Sequence, residues 1–420
     1  MTPPPPPAVE ARPTGRFTSP LLPIFLIVAV DILGFTIILP LLPFYSERLG
    51  ASPAVVGTIV SIYAAFQLIA GPILGQLSDR VGRRPVLLIS QAGTLVGFLI
   101  LAFSTHVWMV FLSRAIDGAT AGNLTIAQAY ISDVTKPEHR TKSFAIIGVA
   151  FGFGFLIGPA ISGFLAAWGY QAPIFAASAL SLTSILCTFF LLPRREPIHE
   201  HDDASAADPG PGGRRLSLIS WGRYPGYFRV PGLGRLLMQW LLFSLAFSTF
   251  VSGFALFAER RYTWHGHPVG VTEVGYTFAF NGFLGMIMLG GVVGRMVKWI
   301  GDKNVVRLGF ATSMLGYAAV GFTHTIPQLL AVIAFSSVGG AGLRPALTSL
   351  ITQKAGRREQ GVILGLTQSL TSVAQITAPV IAGILIDRHY LTTWAVWAGV
   401  LAGTALFFQP RNHNANSAAL

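Results

Sequence analysis

Four ionisable residues of this chain stand inside long apolar stretches: Asp31, Arg114, Asp117 and Arg344. On insertion scales such a group costs about 2.5–3.5 kcal/mol at the middle of a bilayer, so it normally faces a cavity or a partner. A lone carboxylate such as Asp31 can take up and release protons or meet a cargo; alternatively, a polar group on a neighbouring helix satisfies it structurally. Arg114 and Asp117 are three residues apart and share a helix face. Either they pair with each other, or Arg114 faces a cavity and sets the protonation of a nearby carboxylate. Arg344, next to Pro345, either adds a second positive charge to that cavity, favouring anionic or zwitterionic cargo, or snorkels to the water.

Uncharged polar residues recur in the same stretches, among them Gln67, Gln91, Asn123, Gln128, Asn281, Gln368 and Gln375. They line a cavity or hydrogen-bond helix to helix. No soluble catalytic constellation competes with these groups. There is no phosphate-binding G-x-x-x-x-G-K-[ST] loop, and the histidines are scattered, with His265-Gly-His267 too sparse for a metal site. The expectation is a chain that is not an enzyme and uses no cofactor and no metal.

The elements that carry these residues follow from composition. The chain of 420 residues is 52% hydrophobic and 11% charged, where a soluble domain carries about 25% charged residues. Apolar runs long enough to cross about 30 Å of hydrocarbon as helices recur twelve times. They are continuous, not alternating as barrel strands would be. The expected fold class is an all-α membrane protein of twelve transmembrane helices, embedded in the lipid bilayer. Span four is expected over 107–131, span eight over 271–297 and span nine over 304–323.

The formal charge of +12 is not a nucleic-acid footprint, because most of the 29 Lys and Arg fall in alternate loops, with Arg48, Arg260, Arg261 and Arg388 left on the other side. The positive-inside rule then places both termini in the cytoplasm. The opening residues lack the apolar core of a signal peptide, and the single Cys187 allows no intrachain disulfide.

A polar stretch rich in Pro, Gly and Ser separates six spans from six. The expected organisation is a disordered cytoplasmic tail over 1–19, a six-helix bundle over 20–192, a cytoplasmic linker over 193–233, a second bundle over 234–408 and a tail over 409–420. The halves align: Gly158, Pro159 and Gly163 fall on Ala378, Pro379 and Gly383, while Gly75, Asp79, Gly82 and Arg84 fall on Gly294, Lys298, Gly301 and Lys303. A repeated membrane unit of this kind is a transporter architecture, with the cargo path between the halves near the midplane.

The first copy of that loop, GQLSDRVGRRP, concentrates Asp79, Arg80, Arg83 and Arg84 between Gly75, Gly82 and Pro85. The arginines suit a topology signal. Topology needs no Asp and no fixed Gly spacing, and an acid at a span end can face the positive end of a neighbouring helix, worth about 0.3–2 kcal/mol. That is enough to bias two conformations without locking either. Further along, Gly154, Gly158, Pro159 and Gly163 form a small-residue face that allows close helix approach.

These stretches resemble the major facilitator superfamily over nearly the whole chain, above all its twelve-span drug/proton antiporters and the tetracycline-efflux proteins among them. The resemblance is carried by GQLSDRVGRR, by DILGFTIILPLLPFY, by SRAIDGATAGNLTIAQAYISDVT and by GFGFLIGPAISGFL. It implies proton-coupled export of a small organic molecule from the bacterial inner membrane by a monomer. It implies that Asp31 is functional, that Arg114 tunes a carboxylate, that Asp79 stabilises the outward-facing state and that Arg83 pairs with Asp133. Alternatives are a facilitator or proton symporter for a metabolite, or a non-transporting receptor. Gly97, Gly285 and Ser313 stand where tetracycline-efflux proteins carry charged residues, a departure that removes groups associated with a metal-complexed tetracycline.

Overall fold

The computed structural model describes residues 21–135, 140–192, 224–230, 232–354 and 360–409. The expected tail over 1–19, most of the linker and the residues after 409 lie outside the described residues. The first half consists of α1 (Leu21–Arg48), α2 (Pro53–Val81), α3 (Arg83–Ala102), α4 (Val107–Ala119), α5 (Asn123–Val134), α6 (Arg140–Ala166) and α7 (Gln171–Leu191). A short α8 (Tyr224–Arg229) follows, a helical turn within what the sequence suggested was an irregular linker. The second half consists of α9 (Leu233–Arg261), α10 (Val271–Ile287), α11 (Val293–Val320), α12 (Ile326–Lys354), α13 (Gln360–Asp387) and α14 (Leu391–Thr404). A small hairpin, β1 (Thr263–Trp264) with β2 (His267–Pro268), carries His265 and His267.

Twelve crossings result among the described residues, but three differ from the sequence expectation. Span four is broken: α4 ends at Ala119, and α5 starts at Asn123. The freed backbone groups find partners on α3, as they must where no water is at hand. Ser90 Oγ donates to the Thr120 carbonyl and accepts from Gly122 N at 3.0 Å. Spans eight and nine, by contrast, run nearly into one another. A π-helical segment, Met288–Val292, joins α10 to α11, and only Gly301, at φ 78°, marks the turn between the crossings.

Gly301 matches Gly82, the turn between α2 and α3, which has φ 103° and ψ 151°. Both occupy backbone that an L side chain resists. The internal repeat seen in the sequence is thus a repeat of backbone conformation.

Packing between the halves is reciprocal. Helix α6 lies along α10, and α13 lies along α2. A Cβ on Gly275 would stand 2.5 Å from the Pro159 carbonyl oxygen, and one on Gly57 would stand 2.2 Å from that of Pro379. The small-residue face of α6 therefore serves two neighbours. Gly154 and Gly158 receive Ile32 and Thr36 of α1, while Pro159 and Gly163 receive α10. Thr36 Oγ1 also donates to the Gly154 carbonyl at 2.9 Å, and Thr272 Oγ1 to that of Gly163 at 3.0 Å.

The apolar core shows how the halves are disposed. On the side where α1 and α9 end, one continuous cluster joins both halves, from Ile37, Leu41 and Phe44 to Phe254, Phe257 and Trp394. On the side where α1 and α9 begin, each half keeps its own cluster, one around Ile24, Val86 and Ile131, the other around Leu237, Phe310 and Leu347. The halves are joined on one side and parted on the side richer in Lys and Arg.

Candidate functional site

The ionisable residues singled out in the first half gather into one polar pocket. Asp31 projects from α1 toward Ser184 of α7, Gln91 of α3 and Asn123 of α5, with the Asp117 carboxylate close by. Its Oδ2 is buried with no hydrogen-bond partner, and so are Gln91 Oε1 and Asn123 Oδ1. Gln91 is fully buried, and its Nε2 donates to Ser184 Oγ at 2.7 Å. Thus four helices meet at one carboxyl, and Asn123 reaches it because the break in span four sets the start of α5 there.

Beside it, Arg114 and Asp117 form an ion pair, Nη1 to Oδ2 3.2 Å, with side chains only 4% and 5% exposed. Internal pairing is therefore realised. It does not remove Arg114 from the pocket, because the guanidinium also takes Ser113 Oγ at 3.1 Å, lies over the Phe98 ring at 5.6 Å and leaves its Nε unpartnered. Tyr63 of α2 stands among Arg114, Asp117 and Asp31, and Gln67 Nε2 donates to its hydroxyl at 3.2 Å. Gly97 explains its own identity. A Cβ there would lie 3.1 Å from Asp117 Cβ, so the space beside α3 is filled by the acid of α4.

The other candidates lie elsewhere. Arg344 is exposed on α12, and its guanidinium lies 5.8 Å from the centroid of Phe151, on α6 of the opposite half. It therefore faces the cleft between the halves, and among the described residues no carboxylate pairs with it. Asn281 accepts from Ser337 Oγ at 2.8 Å, a link between α10 and α12, while Gln128 is exposed.

At the parted side, the charged loop forms a compact network. Arg83 Nε donates to Asp133 Oδ2 at 2.8 Å, its Nη1 to Ser78 Oγ at 2.8 Å and also to Asp79. Arg84 bonds the Phe189 carbonyl and lies over that residue's ring at 5.2 Å. Arg80 is exposed, and Gly75 supplies a carbonyl to Ser78 Oγ at 2.6 Å. Among the described residues Asp79 thus pairs within its own loop. In the second half Asp302, at the place of Arg83, accepts from Ser349 Oγ and Gln353 Nε2, both at 3.3 Å. The charge sign is reversed, but the loop is tied to the equivalent helix.

One cluster escaped the sequence reading. At the joined side a cavity of about 660 Å³ is lined by Glu47, Arg48, Tyr170 and Glu259. Arg260 bridges the halves there, its Nη2 2.5 Å from Glu47 Oε1 and its Nη1 3.2 Å from Glu259 Oε2. Burial, with the Glu259 charge adding to it, pushes the Tyr170 phenol above its ordinary value. Only the run Glu259-Arg260-Arg261 hinted at it. Glu273, nearby, caps α10 by accepting from Gly270 N at 2.8 Å.

The described residues contain no group of three or more His, Cys, Asp or Glu able to hold a metal ion.

Comparison with known proteins agrees with this architecture. The family profile described as Major Facilitator Superfamily matches residues 24–306 and 283–419. The class B tetracycline resistance protein of Escherichia coli is 29% identical over 378 residues, covering 89% of this chain and 90% of that protein. Multidrug resistance protein 2 of Bacillus subtilis (strain 168) is 27% identical, covering 86% of this chain and 88% of that protein. The crystal structure of the human organic anion transporter MFSD10 superposes with a TM-score of 0.68 at 22% identity, over 92% of this chain and 98% of that one.

Proposed function

Since the chain belongs to the Major Facilitator Superfamily, we propose that it is a proton-coupled antiporter exporting a small organic molecule by alternating access. It is a multi-pass membrane transporter of small molecules. Its drug-like cargo is supported by the tetracycline and multidrug resistance proteins to which it is similar.

The observation that carries proton coupling is the buried Asp31 Oδ2, without a partner, in a polar pocket beside the Arg114–Asp117 pair. A carboxyl placed so can exchange a proton only with what enters the pocket. Arg114 and Asp117 set the charge around it, and Arg344 faces the cleft from the other half to meet cargo.

With the cytoplasm assigned by the positive-inside rule, the joined side is external and the conformation is inward-facing. Residues 20–192 and 234–408 act as the two rocking bundles, 193–233 as a cytoplasmic linker and the terminal segments as cytoplasmic tails, in a monomer of the bacterial inner membrane. The Gly75–Arg84 loop with Asp133 is the switch on the inner side, and its pairing of Asp79 with Arg83 belongs to the inward state.

The test uses everted membrane vesicles energised acid inside, a pH-sensitive dye, and a panel of lipophilic cations, zwitterions and anions. Some compounds are expected to provoke proton release that disappears in Asp31→Asn. Silence across the panel, or undiminished release in Asp31→Asn, overturns the reading.

A further inference from the structure

Arg344 is a permanent cation that nothing in its own half neutralises. It is exposed on α12, and among the described residues its guanidinium forms no hydrogen bond or ion pair; it lies instead over the Phe151 ring, 5.8 Å away on α6 of the opposite half. That contact points the side chain across the cleft and not along α12 to the lipid headgroups. At 1.5 Å per residue, Arg344 stands about 6 Å from the middle of α12 and Phe151 about 3 Å from the middle of α6, both toward the parted side. An uncompensated charge at that depth is costly, so a group that supplies the missing charge is stabilised there.

The surroundings are aromatic and rich in donors. Phe151 and Phe155, one turn apart, stack at 6.4 Å with 22° between their planes, and both residues are half-buried. Asn281 of α10 uses its Oδ1 to accept from Ser337 Oγ at 2.8 Å, which leaves the Nδ2 protons free among the described residues. Ser337 precedes Arg344 by two helical turns and therefore shares its face of α12. Gly282, next to Asn281, packs on the other partner: a Cβ there would stand 2.7 Å from the Phe155 carbonyl oxygen. Guanidinium, amide protons and ring faces thus border the same stretch of cleft between α6, α10 and α12.

We propose that this wall binds an organic anion that carries an aromatic ring, with its carboxylate or sulfonate on Arg344 and its ring against Phe151 and Phe155. This names the cargo class and rests on the transport reading above, whichever way the cargo is driven. A guanidinium presents several N–H donors in one plane, which match the oxygens of a carboxylate or sulfonate and have nothing to offer a lipophilic cation. The other charges inside the membrane do not compete for the anion. Arg114 is already paired with Asp117 at 3.2 Å, and Asp31 is turned into its own pocket among α3, α5 and α7.

The test is equilibrium dialysis of 2-naphthalenesulfonate against the purified full-length protein, beside a cation of matching shape, 2-naphthyltrimethylammonium. The sulfonate is expected to bind saturably and at least about tenfold more tightly than the ammonium, the worth of a hydrogen bond to a charged group. Arg344→Gln should weaken sulfonate binding by a similar factor, and Arg344→Lys by less, since it keeps the charge but loses the planar fork. Phe151→Leu should weaken it about threefold through loss of the ring contact. The sulfonate should also raise the unfolding temperature of the wild-type protein but not that of Arg344→Gln, a comparison made within each protein that a merely less stable variant does not disturb. No saturable sulfonate binding, an ammonium bound as tightly, or sulfonate binding unchanged in Arg344→Gln overturns the site. The vesicle assay separates the two readings. Sulfonate binding without proton release by any compound supports the site and strikes the antiporter; proton release by cations alone, with no sulfonate binding, overturns the site and leaves the antiporter standing.

Discussion

Arg260 Nη2 lies 2.5 Å from Glu47 Oε1 and ties the end of α9 to the end of α1, across the two halves. Glu259 holds the other arm of the same guanidinium at 3.2 Å. An outward-open state must break the Glu47 bond, while the Glu259 bond can travel with α9. Arg260 is thus a latch fixed to one half.

Removing the latch should favour outward opening. A partly exposed pair is worth about 1 kcal/mol, which changes a two-state ratio roughly fivefold. With Cys187 replaced by Ser and spin labels at Trp168 and His265, Arg260→Gln should increase the long-distance population. An unchanged distance distribution would show that the latch carries no weight.

The same state depends on close backbone contact. Gly57→Ala places a methyl 2.2 Å from the Pro379 carbonyl oxygen, whereas Gly148 has nothing within 4 Å. Overpacking of this kind costs about 1–3 kcal/mol. Gly57→Ala should lower the unfolding temperature and lengthen the same label distance; Gly148→Ala should do neither.

The buried pair of the site is expected to act as a unit. Asp117→Asn leaves Arg114 charged and unpaired, a loss of about 3–5 kcal/mol when a buried partner is removed. The double variant Arg114→Leu with Asp117→Leu should be more stable than Asp117→Asn, although without transport. Thermal unfolding of the three proteins in detergent decides; a double variant no better than the single one would contradict the pairing.

Backbone conformation gives a fourth expectation. Gly82→Ala and Gly301→Ala each force a side chain into positive-φ backbone, at φ 103° and 78°, for about 1–3 kcal/mol. Both should destabilise by comparable amounts despite the opposite charges beside them. A Gly301→Ala protein as stable as wild type would mean the repeat is one of sequence only.

Much of this was legible in the sequence because the bilayer enforces it. Long apolar runs dictate helices, and a charge within a run demands a cavity or a partner, so Asp31, Arg114 and Asp117 stood out before any coordinates. The spacing of Arg114 and Asp117 on one helix allowed the pair that forms. The repeat of Gly82 in Gly301 was visible for the same reason: a local backbone constraint leaves a local mark.

What the sequence by itself determined is the apolar, helical kind of the spanning elements and the few costly residues within them, both set by local solvation and chain geometry. What only the tertiary structure decided is which groups meet. Gln91, Ser184 and Tyr63 join Asp31 from three other helices, and the stretch Thr120–Gly122 breaks span four where Ser90 of α3 satisfies its backbone. The Arg260–Glu47 latch links residues far apart in the chain. Such contacts depend on how helices rotate and pack against one another, and no single helix carries that information in its own residues.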